Sequence, residues 1–327
     1  MSAALAITQD RAQPKLARVS LTDRCDLACV YCRPHRNDGY LEKRLARDEW
    51  ETVFRGLKLS GVERIRITGG EPLLHKDLLP ILRSLRTHEF KDVALTTNGT
   101  RLDHLAKDLL EAGLSRVTIS LDTLDAAKFE RLTRGGDLRA VLRGIDAAVN
   151  AGFSELKMNV VVLRGENDDE LEALAQYAWA RGITPRFIEL MTIGEGAKLE
   201  DKVFPASEMR RLLSHLLAEG PARVDVDRGP AKYVSTKHDA KKRVGFITGT
   251  TDTFCGGCDR LRIASDGAIR PCLATNDGVL PTNALLRRDA QTFSRSVFAA
   301  WEKKPDASWK GCTEVTAKDV SMRAVGG

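Results

Sequence analysis

A chain of 327 residues that is 43% hydrophobic and 29% charged can build a full core, so both a disulfide-stapled miniprotein and a disordered chain are excluded. Its net charge is mild, 51 basic against 45 acidic side chains or +6, and its basic runs (Lys241-Lys242-Arg243, Arg287-Arg288) are short, which points to small anionic ligands and away from a nucleic-acid-coating surface. No run of about 18 apolar residues occurs and Met1–Ala17 lacks an export signal, so no membrane partner is expected, the expected location is the cytoplasm, and the seven cysteines are expected to serve metal or redox chemistry.

From Leu16 onward short apolar runs alternate with amphipathic stretches. The runs Ala17–Leu21, Arg64–Thr68, Val93–Thr96, Arg116–Leu121, Leu156–Leu163 and Pro185–Leu190 predict strands. Between them Asp48–Ser60, Leu78–Thr87, Leu102–Ala112, Leu138–Ala151 and Asp168–Ala180 predict helices, several ending just before a glycine. Six such units predict an α/β fold, a partial (β/α)6 TIM-like barrel spanning residues 1–195, with functional residues at the carboxyl ends of its strands. Beyond Glu195 the alternation fades, and residues 196–327 read as a smaller, irregular domain.

Cys25, Cys29 and Cys32 directly follow the first strand in a C-x3-C-x2-C pattern with Tyr31 before the last thiol. Thiols at this density ligate soft metals or iron-sulfur clusters. A structural zinc, with His35 as fourth ligand, is one reading; a four-iron cluster with one iron open to a second ligand is the other. The motif resembles that of the radical S-adenosylmethionine superfamily, in which the open iron chelates the cofactor's methionine. Gly69-Gly70-Glu71-Pro72 after the second strand looks like the superfamily's motif for the cofactor's amino group, and its glycines suit a close backbone approach. Ser120 and Met191 lie at the carboxyl ends of later strands.

A second trio, Cys255, Cys258 and Cys272, has C-x2-C-x13-C spacing with no fourth thiol nearby, so a structural zinc that recruits Cys312 or His238 from a distance is one reading and a second open cluster the other. For the open cluster speak Arg260 and Arg262 just after Cys258, two forked cations on one face if the segment is extended, a pairing that suits a triphosphate. Ser20-Leu-Thr-Asp-Arg24 before the first trio, the Gly-Gly-Glu-Pro turn, the second trio with Arg260-Leu261-Arg262, and the terminal Gly326-Gly327 together resemble the GTP 3′,8-cyclases of molybdenum cofactor biosynthesis, over nearly the whole chain.

The resemblance implies two [4Fe-4S] clusters on the two trios, S-adenosylmethionine contacted by Tyr31, Gly70, Ser120 and Met191, and a 5′-deoxyadenosyl radical that takes the 3′ hydrogen of GTP so that the carbon radical closes on C8. It implies GTP contacts from Arg18, Arg66, Thr96, Lys157, Arg260, Leu261 and Arg262, with Arg186 a further anion-binding candidate and Gly326-Gly327 in the active site. It further implies an electron donor such as flavodoxin or ferredoxin and a downstream cyclic pyranopterin monophosphate synthase. Asp259, Gly256-Gly257 and Glu195 depart from the family pattern, and an acid at Asp259 is unhelpful to a polyanion. The competing readings are a radical enzyme that matures a peptide, which would leave the converging arginines without purpose, and a zinc-dependent nucleic-acid binder, which would need two complete four-ligand sites.

Overall fold

The structure, a computed structural model, describes residues 13–33, 35, 39–224, 229–305 and 321–322. Its strands β1 (Leu16–Ser20), β2 (Arg64–Thr68), β3 (Asp92–Thr97), β4 (Arg116–Ser120), β5 (Glu155–Val162) and β6 (Thr184–Glu189) pair in parallel in chain order. The crossovers are helical: α1 (Arg47–Leu59), α2 (Leu78–Leu85), α3 (Leu102–Glu111), α4 (Ala126–Thr133) with α5 (Leu138–Ala151), and α6 (Leu171–Trp179). The expected α/β architecture of six parallel units is therefore present. Helix α4 was not anticipated; Asp125 caps it by accepting from Lys128 N, and it ends at Arg134 and Gly135 in left-handed conformations.

Alternate strand residues divide the sheet into two faces. Ala17, Val19, Ile65, Ile67, Leu95, Val117, Ile119, Met158, Val160 and Phe187 are buried with the helices in one continuous core. The opposite, inner face carries the polar and charged positions. On the core side Gly56 of α1 makes room for Phe293, since a Cβ there would stand 2.6 Å from the Phe293 ring. Truncating a fully buried ring such as Phe293 or Trp50 to Ala should cost about 3–5 kcal/mol of stability.

The C-terminal segment is more regular than expected, and it extends the same sheet at both edges. Strands β7 (Arg223–Val224), β8 (Lys232–Ser235) and β9 (Arg243–Ile247) follow the short helix α7 (Ala206–Leu212), and β9 joins β6 in parallel. Strands β10 (Arg260–Ile263) and β11 (Ile269–Arg270) lie at the other edge, where β10 pairs in parallel with β1. The order across eleven strands is β11-β10-β1-β2-β3-β4-β5-β6-β9-β8-β7. Helices α8 (Thr282–Leu286) and α9 (Ala290–Glu302) follow, α9 lying against α1 with Ser60 Oγ donating to Ser294 Oγ at 3.0 Å. No helix among the described residues is long and apolar enough to cross a membrane.

Candidate active site

Strand register collects the expected substrate residues on the inner face. Arg262, Arg18 and Arg66 are direct Cα partners across β10, β1 and β2. Thr96, Thr118 and Lys157 form a second row across β3, β4 and β5, and Ser120, Asn159 and Arg186 a third across β4, β5 and β6. Leu261 alternates to the other face and is buried in the core, so its side chain cannot face a ligand; only its backbone could.

So many cations in one place perturb one another. Burial and then the charges of Arg262, Arg66, Arg260 and Arg186 hold the Arg18 guanidinium well below its ordinary range. Burial, then Arg186, lowers Arg66 to about 10, and burial, then Arg260, lowers Arg262 to about 10. Compensation within the chain is partial: Arg116 pairs with Asp92 and Glu155 at 2.5 Å, and Lys157 Nζ lies 3.0 Å from Glu155. Arg66, Arg186 and Arg260 form no ion pair with a carboxylate among the described residues. Such a surface calls for a polyanion.

The two cysteine trios flank this surface along the strand direction. Cys25, Cys29 and Cys32 lie in the loop at the carboxyl end of β1, half-buried, with Cys32 N and Arg33 N both donating to Cys29 O. Burial, then Glu71, raises the Cys25 thiol, and burial, then Asp122, raises Cys29, so a bound metal centre is what would keep both as thiolates. Three carboxylates that sequence reasoning did not single out hold the surroundings. Buried Glu71 accepts from Leu73 N, Thr97 Oγ1 and Asn98 N at 2.7–2.9 Å, and burial lifts it to about 7 despite these bonds. Asn98 Nδ2 in turn donates to Asp26 Oδ1 at 2.7 Å inside the cysteine loop. Asp122 accepts from Tyr31 OH at 2.6 Å and Val161 N at 2.8 Å, tying the loop to β5. Glu189 accepts from Ala206 N, Thr250 N and Thr251 N, tying β6 to the segment that leads to the second trio.

The glycine turn serves this loop directly. Gly70 N donates to Thr22 O at 2.6 Å and Glu71 N to Arg24 O at 2.7 Å, and a Cβ at Gly70 would collide with the Arg24 carbonyl. The close approach that requires glycine is thus to the chain's own cysteine loop. Gly70→Ala should displace that loop and lower the iron held by the first trio, about half of the total, while sparing the second; iron analysis with electron paramagnetic resonance reads this.

At the second trio, Cys255 opens a short turn closed by Cys258 N donating to Cys255 O, and Cys272 follows β11. Burial acts upward on the Cys258 thiol, but the charges of Arg260 and Lys304 outweigh it and its pKa falls. Lys304, just past α9, is buried and donates to Arg260 O and Pro271 O at 2.7 Å each, clamping the two strands that present Cys258 and Cys272. Arg260 stacks over Phe254 with 4.6 Å to the ring centre. Met191 packs against Ile193 and Ala274, as does Cys272, and its side chain lies over Gly249; Ser120 stands at the end of β4 on the inner face. Of the departures, Asp259 is ion-paired with Arg64 and so does not oppose a polyanion with a bare charge, and Glu195 pairs with Lys198 at 2.8 Å. Cβ atoms at Gly256 and Gly257 would meet open space. Gly326, Gly327 and Cys312 lie outside the described residues.

Residues 19–178 match the Radical SAM superfamily and residues 183–309 match Molybdenum Cofactor Synthesis C. The chain is 43% identical over 297 residues to the GTP 3′,8-cyclase of Pelotomaculum thermopropionicum, covering 88% of this chain and 90% of that one. The chain belongs to the GTP 3′,8-cyclase family. It is similarly 38% identical to the GTP 3′,8-cyclase of Marinobacter nauticus, over 88% of each chain, and 40% identical to GTP 3′,8-cyclase 1 of Pseudomonas aeruginosa, over 83% of each. Among solved structures, Streptococcus suis SuiB bound to S-adenosylmethionine superposes with a TM-score of 0.63 over 96% of this chain and 72% of that one. At 16% identity that likeness speaks for the fold alone. Membership sets aside the peptide-maturing and zinc-binding readings.

Proposed function

We propose that the chain converts GTP to (8S)-3′,8-cyclo-7,8-dihydroguanosine 5′-triphosphate, the first step of molybdenum cofactor biosynthesis. The observation that carries this reading is the in-register row Arg262–Arg18–Arg66 on the inner face, flanked by two separate thiol trios. Cys25, Cys29 and Cys32 would hold one four-iron cluster with S-adenosylmethionine, and Cys255, Cys258 and Cys272 another, together supplying the one-electron chemistry that starts a radical at the ribose 3′ carbon. Tyr31 and Gly70 on the first loop, with Ser120 and Met191 at strand ends, would seat the S-adenosylmethionine.

Arg18, Arg66, Lys157, Arg186, Arg260 and Arg262 would neutralise the triphosphate and fix the nucleotide between the trios, with Thr96 contributing a hydroxyl. Holding the two reacting carbons of one substrate in a fixed geometry favours ring closure over escape of the radical. Gly326 and Gly327 would complete the pocket from the tail. An electron donor such as flavodoxin or ferredoxin and a downstream cyclic pyranopterin monophosphate synthase would be its partners. The test is anaerobic reconstitution with iron and sulfide, followed by incubation with GTP, S-adenosylmethionine and a reductant. We expect 5′-deoxyadenosine and the cyclised nucleotide by mass spectrometry; cofactor cleavage with GTP left intact would overturn the assignment.

The cation row also makes binding depend on pH. Burial and then the Arg186 charge lower Lys157 to about 8, with Glu155 opposing. A bound triphosphate restores its charge, so GTP binding should take up a proton near pH 8 and weaken above it. In the free protein the sign reverses, because the unfolded chain keeps this proton up to its ordinary pKa of 10.5, so between about 8 and 10 stability from this group rises with pH. Calorimetry in buffers of different ionisation heat should show the uptake in the wild type and none in Lys157→Met.

A further inference from the structure

We propose that Tyr233 is a further substrate-binding residue, its hydroxyl donating to a phosphate oxygen of the nucleotide beside Arg186 and Lys157, with Gly245 as the gap that admits it. The inference rests on the GTP-binding reading above. Tyr233 on β8 is the register partner of Gly245 on β9, and Gly245 is the partner of Arg186, so the row Ser120–Asn159–Arg186 continues through an empty position to the tyrosine. A Cβ at residue 245 would stand 2.8 Å from Tyr233 Cε1 and 2.9 Å from Arg186 Cγ, so the ring and the guanidinium stem fill the space a side chain would take.

The surroundings are cationic. The ring centre lies 6.0 Å from Lys157 Nζ and 4.4 Å from Arg243 Cζ. Tyr233 is only 6% exposed, and its hydroxyl lies against the Arg186 guanidinium, which can only donate to it, so the hydroxyl's own proton has no acceptor among the described residues; Arg186 Nε likewise finds none. Burying a hydroxyl without a partner is unfavourable, and a residue needed only for packing would be served by phenylalanine. Two unmet donors, one neutral and one charged, on a face lined with cations fit the oxygens of one anionic group.

The experiment measures binding of GTP, inorganic triphosphate and S-adenosylmethionine to the anaerobically reconstituted chain and its Tyr233→Phe, Gly245→Ala and Arg186→Ala variants. For Tyr233→Phe we expect GTP and inorganic triphosphate to bind about tenfold to a hundredfold more weakly, with iron content and S-adenosylmethionine affinity unchanged. The loss should appear as a raised KM with little change in kcat. Gly245→Ala should show the same loss with the hydroxyl still present, because the ring is displaced. Unchanged GTP affinity in Tyr233→Phe beside a lost affinity in Arg186→Ala overturns this proposal and leaves the GTP site standing. Unchanged affinity in both variants removes the GTP site itself. Weaker GTP binding with normal inorganic triphosphate binding would move the hydroxyl to the sugar or base and overturn the phosphate assignment, and weaker S-adenosylmethionine binding alone would move it to the cofactor.

Discussion

Replacing Cys25, Cys29 and Cys32 with Ala should abolish S-adenosylmethionine cleavage and remove about half of the iron, about four of eight atoms per chain, while GTP still binds. The reason is that the two trios are built and braced separately. The first depends on the Gly70–Thr22 and Glu71–Arg24 backbone bonds, on the Glu71–Asn98–Asp26 chain and on the Tyr31–Asp122 bond. None of these reaches the second trio, which the Lys304 clamp on Arg260 O and Pro271 O supports from the far side of the arginine row. The converse substitution of Cys255, Cys258 and Cys272 should therefore spare some uncoupled cleavage to 5′-deoxyadenosine while eliminating cyclised product. If that second variant lost all cleavage with its first cluster shown intact by electron paramagnetic resonance, the division of labour between the trios would be wrong.

The barrel strands were legible because β-branched residues alternate there with polar ones, and that pattern has only one period. Arg64–Thr68 and Leu138–Ala151 fall where expected to the residue. Helix α4 was not legible: only Phe129, Leu132 and Thr133 of its eight residues are buried, too few to establish a period, and a tertiary bond that Ala28 N donates to Thr133 O helps fix it. Helix α6 starts at Leu171 and not near Asp168 because Glu170 is held by Thr123 Oγ1 and Leu124 N. The outer strands failed for another reason, since pairing β10 with β1 joins residues more than two hundred positions apart and four residues of Arg-Leu-Arg-Ile carry too little pattern to announce it. At the site, Arg18 and Arg66 stood out because a charge inside an apolar strand needs a ligand. Glu71, Asp122, Glu189 and Lys304 did not, because they act on backbone groups that only the folded chain brings to them. For Tyr233 the one available signal was a glycine inside Arg-Val-Gly-Phe-Ile, a residue that weakens a strand unless something must pass close to it.

The arginine row should make the unliganded protein less stable than it needs to be, and Arg66→Met should reveal both sides of that exchange. Arg66 is the informative member because it adjoins no thiol and forms no ion pair with a carboxylate among the described residues, so cluster loss would not confound the result. Its guanidinium is pressed down to about 10 by burial first and by Arg186 next, against weaker support from Asp92 and Glu155. Because the folded-state pKa lies below the group's ordinary value, the charge opposes folding fully at neutral pH, and this opposition fades only as the pH rises beyond about 10. Methionine keeps most of the stem without the charge. Because removing a buried charge that lacks a close carboxylate relieves its desolvation, the variant should gain about 1 kcal/mol, or about 2 °C in apparent melting temperature without ligand. With GTP the order should reverse. Loss of a charged contact to a desolvated phosphate costs about 2–5 kcal/mol, so affinity should fall thirtyfold to several thousandfold, and the rise in melting temperature that GTP confers on the wild type should disappear. Iron content and S-adenosylmethionine affinity should stay as in the wild type. A variant that melted earlier and still bound GTP normally would make Arg66 a structural cation paired across the strands with Asp92 and Glu155, and the anion-binding row would shrink to Arg18 and Arg262.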